Sequence, residues 1–140
     1  MSSISDADVG LDSAVGAVCR PNISPAGRLR RRRVGYVAVG IAALLFALLF
    51  AWRTPWYVRA LVGLPAALAA VAFLQARRNT CIARAAEGTF EHDDFSKTPA
   101  PAAEVAASRR VAVGIRRDAA LIGLLCAGLA AASVLISVAP

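Results

Sequence analysis

Three long stretches of this chain carry no alternation between apolar and polar positions. From Val34 to Trp52 no charged residue occurs over nineteen positions. As a helix this stretch is about 28 Å long, close to the thickness of a bilayer's hydrocarbon core. Leucine, phenylalanine, valine and alanine occupy every face, so no polar stripe remains for water. A second apolar run extends from Trp56 to Ala76, interrupted by Arg59 near its start and Pro65 at its middle. The third run, Ala119 to Ala139, follows Asp118. The pattern predicts an all-α membrane protein with three transmembrane helices: an N-terminal hairpin over 28–76 and a single C-terminal span over 118–140.

Between the spans the pattern changes. Residues 77–117 are hydrophilic, with a short helix predicted up to Gly88, where a glycine stops it. An acidic, aromatic turn follows over 89–96. Thr98 and Pro99 resemble an N-cap followed by proline at the first helical position. From there a basic amphipathic helix is expected, with Val105, Ser108, Val111, Ala112 and Ile115 on one face and Arg109, Arg110, Arg116 and Arg117 on the other. Such a helix suits the headgroup layer, or it simply extends the last span. The tail, 1–27, has few large apolar residues and is expected to be disordered. It lacks the apolar core of a cleavable signal peptide. Asn22-Ile23-Ser24 matches a glycosylation acceptor, discounted because its predicted side is cytoplasmic and Pro25 follows.

Charge fixes the orientation expected. Of the sixteen basic residues, six precede the first span, two lie in the first loop and eight in the second. Arg30, Arg31, Arg32, Arg33, Arg77, Arg78, Arg116 and Arg117 flank the spans as topology anchors. The positive-inside rule then places the N-terminus in the cytoplasm and the C-terminus outside, in a bacterial inner (plasma) membrane. Trp52, Trp56 and Tyr57 surround Pro55 as an interfacial aromatic belt, and Arg59 is expected to snorkel outward from there. Pro65 should free the carbonyl of Leu61 and kink its helix. A net charge of +7 in a soluble protein would suggest nucleic acid. Beside apolar spans the same arginines serve anionic lipid, and no nucleic-acid partner is expected.

Candidate chemistry is sparse. Cys81 lies near Arg77, Arg78 and Arg84, and positive neighbours favour a thiolate. It is the one candidate reactive thiol, without a CxxC or a catalytic partner. Glu91, His92, Asp93 and Asp94 are metal-ligating types, but consecutive residues cannot all face one ion. A solvated acidic turn pairing with Arg84 or Arg109 is the simpler reading. No metal, cofactor or catalytic constellation is expected. In the third span Ala119, Gly123, Ala127 and Ala131 recur every fourth position, a face that admits another helix closely. Its neighbour is expected to be the first span, through Ala43, Ala47 and Ala51, or another subunit.

A basic start at Arg33, a glycine at Gly40 in the first span, Cys81 just beyond the second span and Gly88 seven residues later resemble the YgaP-like two-helix transmembrane domain. The resemblance covers residues 33–88, with Ile82 where family members often carry proline. It implies a helical hairpin, found alone or joined to sulfur-transfer domains, and a persulfide-handling role for Cys81. Three functions follow as expectations. The first is a structural or accessory membrane protein, associating with itself or another membrane protein. The second is a thiol- or sulfur-handling protein using Cys81. The third is an oligomeric channel or exporter, although active transport is disfavoured because, Cys126 apart, ionisable groups sit only at the span ends.

Overall fold

The computed structural model describes residues 22–138. Helix α1 spans Pro25–Ala51, α2 Trp56–Arg59, α3 Gly63–Arg77, α4 Ile82–Glu87 and α5 Ala102–Val138. Two short strands, β1 (Thr89–Glu91) and β2 (Lys97–Pro99), lie between α4 and α5. Three helical segments are long and apolar enough to cross a membrane: α1, the combined segment Trp56–Arg77, and α5. The protein is a multi-pass, all-α membrane protein. At 1.5 Å per residue these segments are about 40, 33 and 55 Å long, so α1 and α5 both extend beyond the hydrocarbon core.

The segment Trp56–Arg77 sits centrally, with α3 packed against α1 on one side and α5 on the other, while α1 and α5 barely meet. Two seams therefore hold the bundle. Between α1 and α3, Gly35 lies under Phe73: a Cβ at Gly35 would come within 2.9 Å of the Phe73 ring. Tyr36 meets the same ring edge-on at 5.1 Å between centroids. Between α3 and α5 the backbones themselves approach. A Cβ at Gly63 would lie 2.6 Å from the Gly123 carbonyl oxygen, and one at Gly123 would lie 2.7 Å from Ala67 Cβ. In lipid, where apolar burial drives little association, such close approach is what binds helices.

Several expectations are revised. Helix α1 begins at Pro25, with Ser24 Oγ accepting from Gly27 N at 3.0 Å as its N-cap. Proline belongs at this position because its missing N–H would have no helical partner anyway. Asn22, Ile23 and Ser24 are buried, so the ordered chain starts well before residue 28. The rest of the expected disordered tail, with Cys19, lies outside the described residues. Thr98 and Pro99 belong to β2, and α5 instead starts at Ala102 after Pro101. Of the two readings of 102–117, extension of the last span is the one seen: α5 is continuous for 37 residues, because the amphipathic face and the apolar span stay in one helical register. Pro65 is the third residue of α3. A 3-10 turn over Ala60–Val62 precedes it, an irregularity of the kind a proline in the first turn accompanies.

Candidate functional site

At the arginine-rich end, α4 and the β-hairpin fold over the start of α1. Asn22 is the bracket. Its Oδ1 accepts from Cys81 N at 2.6 Å and its Nδ2 donates to the Cys81 carbonyl at 3.3 Å. Its backbone bonds Asn79 O and Glu91 N, each at 3.2 Å. One residue thus joins the chain ahead of α1, the loop after α3 and strand β1. Cys81 occupies the N-cap position of α4 and is buried. The structure places its thiol in the interior, while Arg77 and Arg78 are exposed and Arg84 turns to acidic partners.

The hairpin is the element least visible in the pattern. Thr89, Phe90 and Glu91 pair antiparallel with Pro99, Thr98 and Lys97. Gly88, at φ 69°, ends α4 in the left-handed conformation and turns the chain into β1. The tip is closed by His92 N to Ser96 O at 3.1 Å and Ser96 N to Asp94 Oδ1 at 3.0 Å. Donation from the Ser96 hydroxyl at 2.6 Å, and then from its backbone N–H, holds the Asp94 carboxyl below its ordinary range. Glu91 points inward, its side chain 5% exposed, 3.7 Å from Arg31 and 3.3 Å from Arg84. It lies against the first turn of α1, where a Cβ on Gly27 would be only 2.1 Å from Glu91 Oε1. Asp93 Oδ1 accepts from Ala26 N at 3.5 Å. Helix α1 has no acidic residue in its own first turn, so the hairpin supplies the negative charge that a helix N-terminus favours.

Ion pairs complete the cap. Arg84 meets Glu87 at 2.9 Å, and Lys97 meets Glu87 at 3.1 Å. Hydrogen bonds from Lys97 and Arg84 hold the Glu87 carboxyl below its usual range. For Arg84, burial pulls the pKa down, but Glu87 and Glu91 outweigh it and the net direction is up. Arg31 Nε donates to Gln75 Oε1 at 3.0 Å and ties α1 to α3. Arg78 pairs with Asp118 and ties the end of α3 to α5. Among the described residues Arg109 makes no acidic pair; it donates to the Ala85 and Ala86 carbonyls at 3.3 and 3.2 Å, at the C-terminal end of α4. Among the described residues no group of three metal-capable side chains converges. The amphipathic face of α5 packs inward, with Ser108, Ala112 and Ile115 buried. This part of the chain packs against α4.

At the opposite end Trp52, Trp56 and Tyr57 are all exposed around the turn, and Trp56 meets Tyr57 edge-on. Arg59 departs from the expected snorkelling and turns inward. It is fully buried, with Nε donating to the Thr54 carbonyl at 3.0 Å and an Nη donating to Ser133 Oγ at 2.9 Å. Its guanidinium also lies 5.3 Å from the centre of the Phe50 ring. Internal acceptors and a π face replace water, which is how charged groups persist within spans.

The small-residue face of α5 is occupied within the chain. Gly123 and Ala127 meet Gly63 and Ala67 of the second span, not Ala43, Ala47 and Ala51 of the first. Ala119 is buried and Ala131 half-buried on the same side. The anchors Arg30, Arg32, Arg33, Arg77, Arg116 and Arg117 are exposed, and all gather at the end bearing Arg31 and Arg78. Compared with protein-family models, curated proteins and solved structures, the chain has no match. What sequence reasoning missed was Asn22, Gly27 and the Arg59–Ser133 link. A buried Asn at a chain start and a Gly in a helix's first turn give only a faint signal in one sequence.

Proposed function

We propose that this protein is a structural or accessory component of a bacterial inner-membrane assembly, associating with itself or with another membrane protein through α1. The observation that carries this reading is an unfilled small-residue strip. Gly40, Ala47 and Ala51 are exposed, and a Cβ at Gly40 would meet nothing within 4 Å. At 100° per residue they lie on the side of α1 opposite Ala38, Leu45 and Leu49, which face the bundle. A helix touching only lipid gains nothing from glycine and alanine on its outer face, whereas a helix partner does. The Gly123–Ala127 face of α5 is already filled by α3, although α5 keeps a second exposed small-residue strip at Ala120, Gly128 and Ala132.

The orientation that accompanies this reading has the arginine-rich cap in the cytoplasm, supported by the gathering of the anchor arginines at one end and of the aromatics at the other. Two experiments test the reading. Gly40→Leu with Ala47→Leu should release whatever co-purifies in mild detergent while leaving helix content unchanged. Unchanged co-elution and an unchanged oligomer would reject it. A cysteine introduced at Thr54 should react with an impermeant maleimide on intact cells, and failure to label would reverse the orientation.

A further inference from the structure

The bundle has a notch between α1 and α5, floored by α3, because those two outer helices barely meet. Its walls are apolar: Val39 and Ala43 from α1, Ala66 and Ala70 from α3, Ile122 and Cys126 from α5. The volume is about 530 Å³. At its arginine-rich end the notch continues into a polar recess lined by Arg28, Arg32, Arg77 and Asn79. Phe73 and Arg77 line both parts, so the apolar channel and the basic recess adjoin.

We infer that this notch is a binding site for a single anionic phospholipid, its phosphate held by Arg28, Arg32 and Arg77 and an acyl chain lying along the notch. Charge supports this occupant. Among the described residues no carboxylate lines either part. The groove on the other side of α1 also has arginines, Arg30, Arg31 and Arg84, but Glu87 and Glu91 line it with them. The neighbouring Arg78 is spent on Asp118, whereas Arg32 and Arg77 are exposed. Arg28 donates to Asn79 Oδ1 at 3.0 Å, which fixes its guanidinium at the rim.

Dimensions support the acyl chain. From Arg77 to Ala66 is eleven positions, about 16 Å along the helix, or roughly one leaflet of a ~30 Å core. One turn of a helix ~10 Å across takes about 420 Å³. An acyl chain, far thinner than such a turn, fits along the notch. Arg77 lines both the apolar channel and the basic recess, where a snorkelling cation would lay its stem on the wall and its guanidinium among headgroups.

The test uses the full chain in mild non-ionic detergent, with native mass spectrometry as the readout. Added phosphatidylglycerol should be retained at one per chain, in preference to phosphatidylcholine with the same acyl chains. Arg32→Gln with Arg77→Gln should weaken that retention roughly tenfold. Arg30→Gln with Arg33→Gln removes the same charge from the same end and should leave it unchanged. Ala66→Leu keeps every charge but fills the channel, and should also weaken retention. Phosphatidylglycerol should slow maleimide modification of Cys126, and inorganic phosphate should not. Equal loss in both double-arginine variants would reduce the effect to diffuse electrostatics and overturn the site. So would protection of Cys126 by phosphate alone, or a dimer that carries no lipid and protects Cys126.

Discussion

The two seams of this bundle are built from opposite materials. Between α3 and α5, glycine and alanine bring two backbones together with almost no side chain between them. Between α1 and α3, the bulk of Phe73 and Tyr36 fills the space over Gly35, and Arg31 and Gln75 fasten the end. The glycine seam depends on the absence of atoms and has no slack. The aromatic seam depends on their presence, and it is backed by a polar cap that joins α1 to the rest of the chain. An insertion should therefore injure the first seam and a deletion the second.

The largest effect is expected from Gly123→Leu, whose side chain must displace Ala67 and the Gly63 backbone. Overpacking of this kind costs about 3 kcal/mol, and the loss should appear as a lower thermal midpoint in detergent. It should also separate cysteine pairs engineered across α3 and α5 while leaving α1–α3 pairs able to crosslink. Equal stability would mean that the seam yields, and the contrast would fail.

Phe73→Ala is the reciprocal experiment. The ring is only half-buried and lipid can refill part of the space, so a cost of about 2 kcal/mol is expected, below the usual range for a core phenylalanine. Here α1–α3 crosslinking should fall and α3–α5 crosslinking should persist. Loss of both would show that the seams are one cooperative unit.

Asn22→Ala removes the bracket that closes the cap and leaves the Cys81 amide without its 2.6 Å acceptor. An unsatisfied buried donor costs about 1–2 kcal/mol. Hydrogen exchange should quicken at α4 and β1 and stay unchanged at Gly63 and Gly123. Cys81 should become open to alkylation, a direct measure of how far the bracket encloses the thiol.

The smallest effect is in pH. Glu87 is held below its ordinary value of 4.5 by Lys97 and Arg84. Its contribution to the cap is complete above that value and is lost as pH falls through its depressed folded pKa. Lowering pH from ~7 to ~3 should loosen the hairpin, seen as faster proteolysis there. The close contacts among Gly63, Ala67, Gly123 and Ala127 include no ionisable group and should not respond.

These contrasts also explain what the sequence revealed. Lipid-spanning helices announce themselves through nineteen uncharged residues in a row, and the aromatic turn through Trp52, Trp56 and Tyr57. The small-residue face of α5 was legible from its spacing, but its partner was not, because Gly63 and Ala67 look like any other small residues in an apolar run. The cap was nearly invisible. Phe90 and Glu91 become a strand only when Lys97 and Thr98 return beside them, and Glu91 turns inward only because Gly27 leaves room. Arg59 read as an outward cation because its acceptor, Ser133, lies 74 positions away. Pairings made across that distance leave no local period.

The unbroken course of α5 has a mechanical consequence. The portion from Ala102 to Asp118 stands about 24 Å beyond the apolar span, with Ser108, Ala112 and Ile115 clamped to the α4 side. A stiff rod anchored at one end in a bilayer acts as a lever. A change of ~10° in the span's tilt, well within the range that bilayer thickness imposes, would carry the far end about 4 Å sideways. Membrane thinning or thickening would thus reach the hairpin as a displacement, through one helix and without a hinge.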